Sequence, residues 1–150
     1  MKKASPAEWG FSVQAVPAFP IGEDGTTSVH PVLGYNYLSI DGGHDNLYQV
    51  GAQLRRSMVD SPMWFGGEVA FDRFSTSTDH ADYEEDPWNG FSVGGLFGYE
   101  LDTSFAPSSL FGSLSYLRFG GQDFDGMSGE GWDAWLFRLG FEVQPEIFKR

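Results

Sequence analysis

Apolar and polar side chains alternate with a period of two along most of this chain, the spacing expected where successive side chains point to opposite faces of a β-sheet. Seven segments carry the pattern, and no comparable stretch has a helical period. In residues 8–17, Trp9, Phe11, Val13 and Ala15 share one face, with Gly10, Ser12 and Gln14 on the other. Residues 31–40 oppose Leu33, Tyr35 and Tyr37 to Gly34 and Asn36. Residues 46–58 place Tyr48, Val50, Ala52 and Leu54 against Gln49, Gly51, Gln53 and Arg55. Residues 62–74 oppose Phe65, Val69 and Phe71 to Gly66, Glu68 and Asp72. Residues 88–101 set Phe91, Val93, Phe97, Tyr99 and Leu101 against Gly90, Ser92, Gly94, Gly98 and Glu100. Residues 109–119 alternate less cleanly, with Ser113 and Ser115 opposite Leu114 and Tyr116. Residues 132–143 separate Trp135, Phe137, Leu139, Phe141 and Val143 from Arg138, Gly140 and Glu142.

Alternation describes any sheet with one wet face, so the character of the polar face decides which side is inside. In a soluble barrel the polar face is exposed and commonly carries Lys, Glu and Thr. Here it is mostly Gly, Ser, Gln and isolated charges of both signs, which suits a narrow, filled lumen. The Phe, Tyr, Trp, Val and Leu face is then expected to meet lipid. Trp9, Trp64, Trp88 and Trp132, together with several Tyr, fall near strand ends, where interfacial aromatic girdles are expected.

The connectors are Gly22–Ser28, Asp41–Asp45, Val59–Pro62, Ser75–Pro87, Asp102–Ser108 and Gly120–Gly131. Two of the last three are long, acidic and rich in Gly, Ser or Asp, with a shorter Pro-containing turn between them. Such alternation of long and short connections is a habit of outer-membrane barrels. With the closing run Trp135-Leu136-Phe137-Arg138-Leu139-Gly140-Phe141-Glu142-Val143, the chain resembles the small, mostly eight-stranded bacterial outer-membrane barrel superfamily over about residues 8–148. The resemblance rests on pattern and implies an all-β, up-and-down antiparallel barrel with an apolar exterior and a polar, filled lumen. It departs from the family where Gln144–Arg150 follows the closing run, in place of an aromatic terminus.

The count also departs, because seven antiparallel neighbours bring the first and last strands together in parallel, whereas such barrels normally have an even number. Three accounts fit: an earlier strand removed, a strand hidden around Phe19–Val32, or pairing by the segment after Pro145; the favoured expectation is an eighth, short or irregular strand near Thr26–Val32. A single domain over 1–150 is expected, with 1–7 a flexible N-terminal segment and 144–150 a tail.

Composition strengthens the β assignment: Gly 20, Phe 14, Tyr 6 and Trp 5 replace the usual aliphatic core. The net charge of −12 argues against nucleic acid as partner, since a phosphate backbone is bound by a basic face. Without cysteine there is no disulfide framework, zinc-thiolate site or thiol nucleophile. No run of about 18 apolar residues exists for a transmembrane helix, a test that leaves a barrel open. Met1–Pro6 has the basic opening of an export signal without the apolar stretch that follows in one.

Candidate chemistry is sparse. Arg55, Glu68, Asp72, Glu100, Arg138 and Glu142 are expected to pair across the lumen, as a structural plug in preference to an ion path, because an eight-stranded barrel holds little more than its own side chains. The acidic stretches Asp79–Asp86 and Asp123–Glu130 read as solvated loops before cation sites. His30, His44 and His80 lie in or beside connectors, with no Gly-x-Ser-x-Gly elbow and no recognisable serine–histidine arrangement. No catalytic, cofactor or metal residue is assigned. The expected function is a non-enzymatic outer-membrane protein with a structural, adhesive or accessory role through external loops 75–87 and 120–131, with lipid or detergent around it. The rival readings are a soluble lipocalin-like carrier of a small apolar ligand and a lipid-modifying barrel enzyme.

Overall fold

The computed structural model describes residues 9–40, 42–78, 87–102, 107–120, 123–124, 127–128 and 131–143. The flexible segment expected at 1–7, the tail at 144–150 and the acidic stretch 79–86 lie outside them. The strands are β1 (Trp9–Ala15), β2 (Phe19–Ile21), β3 (Thr27–Ile40), β4 (Gly43–Ser57), β5 (Met63–Thr78), β6 (Trp88–Leu101), β7 (Ser108–Phe119), β8 (Asp123–Phe124), β9 (Met127–Ser128) and β10 (Trp132–Val143). The main sheet runs β1-β3-β4-β5-β6-β7-β10, with β2 also on β3, while β8 and β9 form a separate two-stranded ribbon. Every pairing is antiparallel. The fold is therefore the expected up-and-down all-β architecture, curled into a half-barrel of seven strands with an eighth strand added.

That eighth strand is β2, inside the span where one was missing but earlier than Thr26–Val32. Residues 27–32 instead begin β3, which pairs with β4 from Thr27↔Arg56 onward. Its small polar start, with Pro31 in the run, hides the alternation in the sequence. β2 also continues β1 in one register: Ala15 faces Leu33 and Phe19 faces Val29, so Pro17 stands opposite Pro31. Proline has no N–H to give to a ladder, and two facing each other interrupt it from both sides.

Turns account for the close hairpins. Gly42 (φ 78°) joins β3 to β4, and Gly22 (φ 85°) and Gly25 (φ 64°) bracket the turn from β2 to β3, left-handed conformations that glycine adopts without a Cβ clash. In that turn Asp24 accepts hydrogen bonds from the Thr26 amide (3.2 Å) and hydroxyl (2.9 Å). The Thr26 hydroxyl first, and then its amide, hold the Asp24 carboxyl below the ordinary carboxylate range. Between β4 and β5, Met58 donates its amide to the Met63 carbonyl at 2.9 Å.

The faces are inverted relative to a water-soluble barrel. Val93, Phe97, Phe137 and Leu139 are 50–72% exposed, whereas Gln49, Gln53, Asp72 and Ser115 are at most 1% exposed. Outward charges sit toward strand ends: Arg56 at the short-turn end, and Arg73, Arg118 and Asp133 at the other. The lumen is polar through its middle and apolar toward the long connections. There Leu47, Leu117 and Phe119 are buried against Phe74, Trp88, Trp132, Ala134 and Leu136. Phe119 stacks on Trp132 with ring centres 4.4 Å apart, and Phe74 meets Trp132 edge-on at 5.1 Å.

This corrects the expected girdle of tryptophans. Trp88 and Trp132 pack inside, Trp64 is 5% exposed, and the side chain of Trp9 lies outside the description. Trp64 fits because Gly98 faces it across β5 and β6: a Cβ on Gly98 would come within 2.2 Å of the indole. Outward aromatics near the long connections are Tyr35, Tyr37, Tyr48, Tyr116 and Trp135, so the tyrosine part of the expectation holds. Phe11 stacks on Tyr37 at 5.3 Å, Tyr35 meets Tyr48 at 5.2 Å, and Tyr116 meets Trp135 at 5.2 Å.

Candidate functional site

The lumen holds the one extensive polar constellation among the described residues. Its members come from alternate positions of β3, β4, β5, β7 and β10, where the two-residue period aims them at the common axis. Arg55 on β4 grips Glu142 on β10 with both terminal nitrogens, at 3.0 and 2.8 Å. It also donates to Gln53 Oε1 through Nε (2.9 Å) and Nη2 (2.6 Å), and its guanidinium carbon lies 4.2 Å from the Trp64 ring centre. Gln53 Nε2 donates to Glu68 Oε2 at 2.5 Å, and Glu68 Oε1 accepts from Arg138 Nη2 at 2.6 Å.

From Arg138 the network continues toward the apolar end. Arg138 donates to Ser113 Oγ (3.0 Å) and Gln49 Oε1 (3.2 Å), and Gln49 also accepts from Asn36 Nδ2 at 2.9 Å. Gln49 Nε2 then donates to Asp72 Oδ1 at 2.8 Å. One hydrogen-bonded path therefore links Glu142, Arg55, Gln53, Glu68, Arg138, Gln49 and Asp72. Isolated ions in such a low-dielectric place are costly, and charge-assisted partners on both sides offset much of that cost.

Of the six charges expected to meet here, Arg55, Glu68, Asp72, Arg138 and Glu142 join the path and Glu100 does not. Glu100 lies exposed near the end of β6, where its amide bonds the Pro62 carbonyl at 2.7 Å. The neutral linkers Gln49, Gln53 and Asn36 were passed over when charges alone were sought. Their inward parity, shared with Arg55 on β4 for the two glutamines, was the signal.

Asp72 differs from the other two acids. Glu68 and Glu142 each pair with an arginine, whereas Asp72 has neutral neighbours, a hydrogen bond from Gln49 and the Ser92 side chain beside its carboxyl. It is fully buried and sits on β5, the middle strand of the seven. Directly across the curl, β1 and β10 form the two edges, and no ladder joins them among the described residues. A cleft of about 1140 Å³ separates them, with Ser12, Gln14, Arg138 and Glu142 among its lining residues and Phe11 and Phe137 at its apolar margin.

Among the described residues, neither His30 nor His44 has both a serine and a carboxylate hydrogen-bonded to its ring. His30 is 2% exposed and shares a 2.7 Å hydrogen bond between its Nε2 and Ser28 Oγ, two residues away on β3. The Val16 backbone also interacts with its ring, and no carboxylate hydrogen-bonds it among the described residues. His44 stacks on Tyr37 at 5.1 Å, and His80 lies outside the described residues. No cluster of three metal-ligating side chains occurs among the described residues; the side chains of 79–86 and 121–130 are outside them. The chain matches no known family model, no curated protein and no solved structure.

Proposed function

We propose that the chain is a non-enzymatic barrel protein of a bacterial outer membrane whose long connections carry a structural, adhesive or accessory role. The observation that carries this reading is a continuous uncharged outer band with the charges buried behind it. On β6 the outward run Phe91, Val93, Gly95, Phe97, Tyr99 and Leu101 has no charge. Ten residue steps at about 3.4 Å, tilted by about 40°, span roughly 26 Å, which matches the apolar height of an outer-membrane barrel. In water that band would be an exposed apolar patch of a size that drives association.

A lipocalin-like carrier needs an apolar cavity inside and a polar coat outside, and the two faces here have the opposite character. With ion pairs crossing the lumen, the surfaces best placed to meet partners are the connections at the long-loop end, around 75–87 and 120–131. Such loops vary without disturbing the scaffold that presents them.

The test places a single nitroxide or fluorophore at Val93, Phe97, Ser92 or Gly94 of the protein refolded in phospholipid vesicles. Lipid-phase quenchers are expected to reach Val93 and Phe97 and to miss Ser92 and Gly94. A protein that stays monomeric at high concentration without detergent would sink the reading. Binding of vesicle-bound protein to a cell surface or partner, lost when 79–86 is replaced by a short Gly-Ser turn, would identify the loops as the working part.

A further inference from the structure

We infer that the cleft between β1 and β10 is a seam poised to close: in the membrane the two edges pair directly as parallel strands, with Gln14 level with Gly140 or Glu142. The wall has seven places, because β2 continues β1 along the same side of β3 and adds none. Six antiparallel steps lead from β1 to β10, so the two edges run in the same direction. Residues 10–12 and 14–15 of β1 line the cleft opposite 136–143 of β10. In hydrocarbon an open edge leaves its backbone N–H and C=O groups without partners, and pairing the two edges with each other supplies them. This deepens the membrane-barrel reading and rests on it for its driving force.

The register follows from the geometry of closure. Across the open sheet, the ladder carries Gln14 along one row, through Gly34, Gln49, Asp72, Gly90 and Phe119, to Trp132. A sheet closes into a cylinder only with a stagger along the last edge, which the strand tilt fixes. For seven strands about 4.8 Å apart, rising about 3.4 Å per residue and tilted by about 35–45°, the stagger is roughly 7–10 residues. Inward side chains must neighbour inward ones, so it is even, and about 8 or 10 residues beyond Trp132 lies Gly140 or Glu142. The cleft gives its sense, since β1 faces 136–143 and not the start of β10. Trp9–Ala15 then runs beside 135–141 or 137–143, wholly within β10.

Side chains match across that seam. Phe11, Val13 and Ala15 fall outward beside Phe137, Leu139 and Phe141 in the first register, or beside Leu139, Phe141 and Val143 in the second. Both keep the outer band uncharged. On the inner face Gln14 lies over Gly34, and its Nε2 has no hydrogen-bond partner among the described residues. Either register brings Glu142 within two residues of it on the adjoining strand. A second copy fits poorly between the edges, because Glu142 on β10 already reaches Arg55 four strands back, and Arg138 reaches Glu68 three strands back. Such contacts belong to a narrow barrel, not to half of a wide one.

The chain contains no cysteine, so introduced pairs report alone. In protein refolded in phospholipid vesicles, Val13→Cys is combined with Leu139→Cys or Phe141→Cys, and Phe11→Cys with Phe137→Cys or Leu139→Cys. Parallel pairing moves both members of a pair the same way along their strands. One register therefore predicts disulfides for Val13 with Leu139 and Phe11 with Phe137, the other for Val13 with Phe141 and Phe11 with Leu139. The favoured set is expected to oxidise about tenfold faster than Ser12→Cys with Leu139→Cys, whose side chains face opposite sides of the wall. Nitroxides at Val13 and Leu139, which need no bond to form, should report backbones one strand spacing apart, about 5 Å, against about 10 Å with a strand between them.

Joining of these pairs only by a linker of about 10 Å would overturn the inference, because another strand would then lie between the edges. Disulfide-linked dimers would overturn it equally, by giving the edges to a second copy. If lipid-phase quenchers reach Val93 while the nitroxides stay far apart, the seam fails and the membrane reading stands. If the seam forms in protein that remains monomeric without detergent, the membrane reading fails and the seam stands.

Discussion

Arg138 and Glu68 belong to strands three steps apart in the sheet, yet their side chains meet at 2.6 Å across the lumen. Both are at most 7% exposed. Removing one partner leaves the other as an uncompensated buried charge, a loss of about 3–5 kcal/mol. Glu68→Gln and Arg138→Met are each expected to lower stability by that order in urea unfolding from vesicles. The double variant Glu68→Leu/Arg138→Met is expected to lose much less than their sum. Additive losses would show that the two act separately.

A second prediction concerns Trp64 and Gly98. A methyl group on Gly98 would sit 2.2 Å from the indole, so Gly98→Ala must push Trp64 out from beneath Arg55. Overpacking of this kind costs about 1–3 kcal/mol. Trp64→Leu in the Gly98→Ala background should recover part of it. Fluorescence of a variant keeping Trp64 as its sole tryptophan is expected to shift on Gly98→Ala.

The alternation in the sequence revealed the strands because it is a local property: parity along β4, β5, β6 and β10 placed Gln53, Glu68, Ser92 and Arg138 on the inner face correctly. Partnership was less visible. Arg55 pairs with Glu142, 87 residues away, and no local pattern specifies which acid it meets. The tryptophans were misread for the same reason, since proximity to a strand end leaves the direction of the ring undecided. Parity would have turned Trp64 inward with Gly66 and Glu68, had it been preferred to proximity. β2 was missed because a three-residue strand ending at a turn has too few positions to show a period.

Arginine at the centre of the outer band separates a membrane environment from an aqueous one. On the membrane reading, Val93→Arg is expected to cost about 2–4 kcal/mol in vesicles, because its side chain would face the bilayer midplane. Arginine in place of Asn89, nearer the strand end, should cost far less. Equal and small effects at both positions, measured by urea titration, would argue that the band meets water.

The turn at Asp24 makes a modest pH prediction. Its folded carboxyl is held down, so its contribution is present above the ordinary carboxylate range and is lost as pH falls through the lowered folded value. Thermal midpoints of the protein and of Asp24→Asn, compared from pH 6 to pH 3, should converge at the acid end. Thr26→Val should weaken the same dependence, because the largest influence lowering the carboxyl is the hydrogen bond from the Thr26 hydroxyl, which this change removes.

Pro17 facing Pro31 divides the first ribbon into two units of cooperativity. With no amide donor on either side of that step, Phe19–Ile21 can open while Trp9–Ala15 stays zipped to β3, so its amides should exchange with solvent ahead of their neighbours. The ribbon would come undone from the turn end inward and stop at the prolines. Damage to the turn at Asp24 would then stay confined to one corner of the wall, leaving the hydrogen bonds of Trp9–Ala15 intact.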